Sequence, residues 1–143
     1  MTYSSAQNAL GQYSKMAVQA GIENASPHRL IQMLMDGALE KVSRAKGFMQ
    51  RGEIREKGQQ IGWAITILEG LKASLNKAEG GEIAQNLEDL YSYMQRRLMD
   101  ANRENDTAIL DEVVGLIRQI KEAWDAVGEQ VNVPPQHGNA VGA

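Results

Sequence analysis

Between Pro27 and Pro134 the chain contains no proline, and across that span apolar residues recur at steps of three and four. Proline ends or kinks a helix, and steps of three and four place side chains on one helical face, so this stretch is committed to helices. Ala25-Ser26-Pro27 reads as a helix start: Ser26 can accept from exposed N–H groups, and proline suits the first helical position. Ile31, Leu34, Ala38, Val42 and Ala45 then follow at helical spacing until Arg51-Gly52. A second helix is expected from about Glu53 to Ala78, on Ile61, Ile65, Leu68, Leu71 and Leu75, with Gly80-Gly81 as the turn beyond it. A third is expected from about Glu82 to Arg103, with Ile83, Leu87, Leu90, Met94, Leu98 and Ala101 on one face. Asp106 is a candidate cap for the fourth, whose stripe of Leu110, Val113, Ile117, Ile120, Trp124 and Val127 is the most regular in the chain. Gly128 is placed to stop it.

Four helices of about 20 residues, each roughly 30 Å long at the usual rise per residue, predict an all-α fold. Short connections between them make it an antiparallel four-helix bundle. The expected organisation is an N-terminal cap segment over 1–24, the bundle over 25–128 and a flexible tail over 129–143. Within the cap segment, Ala6 to Ala20 is weakly amphipathic, with Leu10, Tyr13, Met16 and Ala17 on one side. A helix that short is marginal in water and needs a surface to pack on. The tail carries two adjacent prolines, Pro134-Pro135, and from Val131 onward no Lys, Arg, Asp or Glu.

Composition removes most chemistry. With no cysteine there is no disulfide framework, zinc knuckle or thiol nucleophile. Two histidines and a net charge of -3 argue against a His-rich metal site and a general nucleic-acid binder. Neither His28 nor His137 follows a glutamate by three positions, as carboxylate-bridged metal bundles require, and there is no HExxH or Walker loop. No catalytic residue, metal or cofactor is expected. The acidic pairs Glu88-Asp89 and Asp111-Glu112 read as solvated helix faces. Arg96-Arg97 with Arg103 forms a small basic patch that either pairs with acidic neighbours or carries a partner contact. Met1 to Leu10 lacks a basic, apolar signal pattern and no run approaches a membrane span, which points to the cytoplasm and no membrane insertion.

The distribution of apolar residues is more telling than their total. In Leu30 to Leu39 only Gln32 and Asp36 are polar, and a helix apolar nearly all round is buried on more than one side. The second helix adds Trp63, Ile67, Gly70 and Ser74 on a face away from its main stripe, with Gly58 and Gly62 nearby to admit close approach. Two readings follow. The surplus either thickens the core, with some of the seven methionines filling gaps, or lines a groove for an amphipathic helix or extended apolar segment of a partner.

The string Ala25-Ser26-Pro27-His28-Arg29-Leu30-Ile31-Gln32-Met33-Leu34-Met35-Asp36-Gly37-Ala38-Leu39 strongly resembles the opening bundle helix of the FliS family of flagellar secretion chaperones, whose pattern is ASPHxLIxMLYDGAL. Further blocks match in order: Ala64 to Leu71, Gly80 to Leu87 followed by Leu90 to Leu98, and Ala101 to Asp106 leading to Ala123-Trp124. The resemblance covers roughly Leu10 to Val127. Met35 departs from the family's aromatic residue, and Trp63 stands where the family more often has a charge.

The resemblance implies a cytosolic, non-enzymatic chaperone that binds the disordered C-terminal segment of flagellin, prevents premature polymerisation and keeps it export-competent. It also leaves room for export machinery or assembly regulators as partners. Family members lay the client in apolar grooves, and a tyrosine-bearing N-terminal segment covers part of that surface in the free protein. Leu10 and Tyr13 match that cover. Ile31, Met35, Leu39, Ile65, Leu68, Tyr91, Met94 and Leu98 are the expected groove positions. The alternatives are a histidine phosphotransfer bundle using His28 and a structural bundle that self-associates through the same faces.

Overall fold

The computed structural model describes residues 25–131. Four helices occupy them: α1 (Pro27–Gln50), α2 (Ile54–Ala73), α3 (Lys77–Glu104) and α4 (Thr107–Val131). Ser26 caps α1 by accepting from the Arg29 N–H at 3.1 Å, with Pro27 at the first position. The other end of α1 closes on Gly52, whose φ of 74° lets Glu53 N donate to Phe48 O at 2.9 Å and Gly52 N to Met49 O at 3.2 Å. These two bonds satisfy carbonyls that a helix end otherwise leaves open. Asp106 caps α4, accepting from Ala108 N at 2.9 Å.

Three boundaries differ from the sequence expectation. α2 ends at Ala73, because the Ser74 hydroxyl turns back onto Leu71 O at 2.7 Å and Asn76 caps α3 through Glu79 N at 3.2 Å. α3 therefore starts at Lys77, about a turn earlier than expected, and the break expected at Gly80-Gly81 stands as a kink between that first turn and the helix from Glu82. Gly81, at φ 54° and ψ −127°, adopts a conformation that a side-chain-bearing residue avoids, and the helix resumes beyond it. Gly128 does not stop α4, which runs on to Val131; it keeps helical sign in φ and is there for space, as described below.

The helices form a ring in which α1 packs on α2 and α4, and α3 packs on α2 and α4. With connections of two or three residues the ring is antiparallel throughout, an all-α four-helix bundle. Its centre holds Leu34, Ala38 and Val42 of α1, Ile61, Ile67, Leu68 and Leu71 of α2, Met94 and Leu98 of α3, and Leu110, Val113 and Ile117 of α4. Much of the apolar surplus is spent here. Leu34, Met35 and Ala38 are all buried because α1 has two neighbours. On the second face of α2, Ile67 and Gly70 are buried, while Lys41 of α1 lies 5.7 Å above the Trp63 ring.

One charge enters the interior. Lys57, 3% exposed, donates from Nζ to Asn102 O at 3.0 Å and to Asn105 Oδ1 at 2.7 Å. Asn105 is the left-handed cap of α3 (φ 53°), so the ammonium sits where the helix presents unpaired carbonyls and negative dipole. This ties the start of α2 to the end of α3. Of the basic patch, Arg97 pairs with Glu112 at 2.9 Å and Asp100 at 3.1 Å, and Arg103 pairs with Asp100 and Glu104 at 3.0 Å. No helix among the described residues is long and apolar enough to cross a membrane.

Candidate functional site: an apolar groove at one end of the bundle

At the end where α1 begins and α4 finishes, the ring does not close. A groove of about 390 Å³ opens between the first turns of α1, the α2–α3 connection, the kinked start of α3 and the last turns of α4. Its walls are Ile31 and Met35 from α1, Leu75 from the connection, Ile83, Leu87 and Tyr91 from α3, and Ile120 and Trp124 from α4, with Glu79 on the rim. Ile83 is 73% exposed, and Val127, one turn beyond Trp124, is 46% exposed, so the apolar surface continues out of the groove. Exposed apolar surface of this kind, concave and continuous, marks a docking site more than a solvated face.

Two aromatic walls are set by their surroundings. Burial pushes the Tyr91 hydroxyl up to about 12 from its usual 10, so this residue is a neutral, largely apolar wall rather than an acid or base. Trp124 is held by the start of α1. Its Nε1–H donates to His28 O at 3.0 Å, and His28 Nε2 donates to Trp124 O at 2.7 Å. The two rings stack with centroids 4.6 Å apart and planes 8° from parallel. This leaves the phosphotransfer alternative without support, since the imidazole is engaged across its face and at Nε2 rather than presented to solvent.

A smaller groove, of about 200 Å³, lies on the flank between α2 and α3 nearer the other end. Gly58, Gly62, Ile61, Ile65, Met99 and Asn102 line it, and Met99 is 59% exposed. A β-carbon on Gly62 would meet nothing within 4 Å, so the glycine widens the groove instead of admitting a neighbouring helix. Among the described residues, no group of three or more His, Asp or Glu is placed to hold a metal ion.

Of the positions expected from sequence, Ile31 lines the end groove, Met35 and Tyr91, 2% and 3% exposed, form its floor where it meets the core, and Ile65 lines the flank groove. Leu39 is half-buried against the core. Leu68, Met94 and Leu98 are fully buried at 0% exposure and belong to the core, not to a groove. Each sits at the centre of its helix's stripe, facing the other helices, whereas a groove residue must sit on the flank of a stripe or at its free end. Leu10 and Tyr13 lie outside the described residues. Sequence reasoning missed Leu75, Ile83, Leu87, Ile120 and Trp124 as groove positions. The available signal was position along the bundle: all five fall in the end layers, where a stripe runs past the last residue able to cover it.

Comparison with known proteins places the chain in a family. Residues 7–131 match the family described as flagellar protein FliS. The chain is 48% identical over 122 residues to the flagellar secretion chaperone FliSB of Pseudomonas aeruginosa, covering 85% of this chain and 97% of that protein. It is 39% identical over 137 residues to the flagellar secretion chaperone FliS of Vibrio cholerae, covering 96% of each. It is 44% identical over 121 residues to the corresponding chaperone of Salmonella typhimurium, covering 84% of this chain and 90% of that one. The chain belongs to the FliS family of flagellar proteins.

Proposed function

We propose that this protein is a cytoplasmic flagellar export chaperone that takes the disordered C-terminal segment of flagellin into its apolar grooves. The observation that carries the reading is the end groove, a mainly apolar concavity with exposed Ile83 at its mouth. A flagellin end carries apolar helical stripes meant for packing between subunits. Burying those stripes in the chaperone blocks polymerisation by occupancy and keeps the segment fit for export. No turnover is involved, so the protein acts as a stoichiometric binder rather than an enzyme. The flank groove, with Ile65 and Met99, extends the track for a client that wraps the bundle. The N-terminal segment, through Leu10 and Tyr13, acts as a movable cover of the end groove, and export machinery or assembly regulators are further partners.

Retention of full-length flagellin, compared with flagellin lacking its C-terminal segment, tests the reading. Only the full-length protein should co-purify; equal retention of both overturns it. Tyr13→Ala checks the cover: client affinity should hold or rise while the free protein loses stability, and a large loss of binding would make Tyr13 a client contact instead.

A further inference from the structure

We infer that His28 and Gly128 are positioning residues that fix Trp124 as a wall of the end groove, an inference that rests on the client reading above. Trp124 has one polar group, its indole N–H, and that group is used on His28 O at 3.0 Å. Because a carbonyl only accepts, the 2.7 Å contact from His28 to Trp124 O requires the proton on Nε2. The imidazole is thus held by its own backbone-directed bond while its face covers the indole at 4.6 Å. With its donor used and a face covered, the indole presents its remaining surface to the groove beside Ile31 and Ile120.

Gly128 completes the device. It lies one turn beyond Trp124 inside α4, is buried, and has no positive φ to justify glycine. Glycine in a helix interior is disfavoured against alanine, so its presence calls for another reason. A β-carbon there would collide with the His28 ring atoms Cε1, Nε2 and Nδ1. Gly128 is the notch that admits the imidazole. The staple therefore has three parts: a ring, a slot for the ring, and the indole that the ring orients.

The arrangement makes an unusual forecast for Gly128→Ala. The substitution removes no side chain and improves helix propensity, which offsets part of what the displaced ring contacts cost in thermal stability. It evicts the imidazole and frees the indole. Two readouts follow in wild type, His28→Ala, Gly128→Ala and the double variant. The first, made on the free protein, is hydrogen exchange of the Trp124 indole N–H by NMR, which should quicken about tenfold in either single variant. The second is affinity for a synthetic flagellin C-terminal segment, which should fall about tenfold in either. The double variant should match His28→Ala in both, because an empty slot has nothing to lose. Indole protection left intact by Gly128→Ala overturns the staple, as does a second full loss when Gly128→Ala is added to His28→Ala. Normal affinity in Gly128→Ala with an exchanging indole overturns its role in the groove. Failure of the wild type to bind the segment sinks the client reading and the groove role with it, while the exchange arm still decides the staple.

Discussion

The two ends of the bundle are finished by different chemistry. At the end holding the α1–α2 and α3–α4 connections, polar groups join the helix ends: Gly52 and Glu53 each return a backbone bond to α1, Lys57 is buried on the α3 cap, and Lys46 reaches Asp111 at 2.9 Å. At the other end the helix starts are capped by Ser26 and Asn76, yet the side chains between them are apolar and partly uncovered. The difference teaches that capping and covering are separate requirements. A helix end can have its backbone satisfied while its side chains wait for a partner. That division lets one end hold the fold together and the other end stay available.

The largest expected effect contrasts the middle layer with the open end. Leu98→Ala should cost about 2–5 kcal/mol in chemical denaturation, whereas Leu87→Ala, at a half-buried groove position, should cost roughly 1 kcal/mol. Equal costs would mean that the open end is packed as tightly as the middle, and the comparison would fail. Next comes the alkaline limb. Burial holds the Tyr91 pKa at about 12 in the folded state against about 10 unfolded, so its contribution is whole below pH 10 and lost as pH rises toward 12. The loss is about 3 kcal/mol from the two-unit gap. Tyr91→Phe should therefore flatten the fall in stability between pH 10 and 12, and an unchanged slope would show that the groove wall is already wet.

At the closed end, Lys57→Met keeps the bulk but leaves Asn102 O and Asn105 Oδ1 without their donor, and should cost about 1–3 kcal/mol in urea. A neutral result would mean that water replaces the ammonium and that this end is less sealed than described. Ile83→Ser should move stability least, by about 0.5 kcal/mol or under, since the side chain is mostly in solvent. The same variant should weaken client binding, read by isothermal titration. A stability loss above that of Leu87→Ala would instead place Ile83 in the fold's own packing.

The bundle was legible in the sequence because the stripe of α4 and the proline-free span leave few other solutions. Ser26-Pro27 and Asp106 also marked their caps correctly, since capping is a local bond between residues two or three apart. The break expected at Gly80-Gly81 is present, although a helical turn from Lys77 precedes it, whereas the stop expected at Gly128 is not. Glycine signals permission, either for a positive φ or for close approach, and only the surroundings say which. At Gly81 the permission became a kink, at Gly128 a slot for a ring from the far end of the chain. The groove was half legible. Periodicity finds the stripe that faces inward, but the line between core and groove depends on which layers have a fourth wall. Met94 and Leu98 have one, while Leu87 and Ile83 on the same stripe run out of cover.

The seam between α1 and α4 has a kinetic consequence. Contacts between α1 and α2, α2 and α3, or α3 and α4 join hairpin neighbours, but the bonds between His28 and Trp124 join residues 96 positions apart. Closing a long loop carries a larger entropic toll than closing a hairpin, and chain topology orders folding accordingly. The three hairpins can form early, and the α1–α4 seam completes the ring last. The end groove is built across that seam. A chain that has not closed that seam therefore lacks the assembled end groove, however well its separate hairpins have formed.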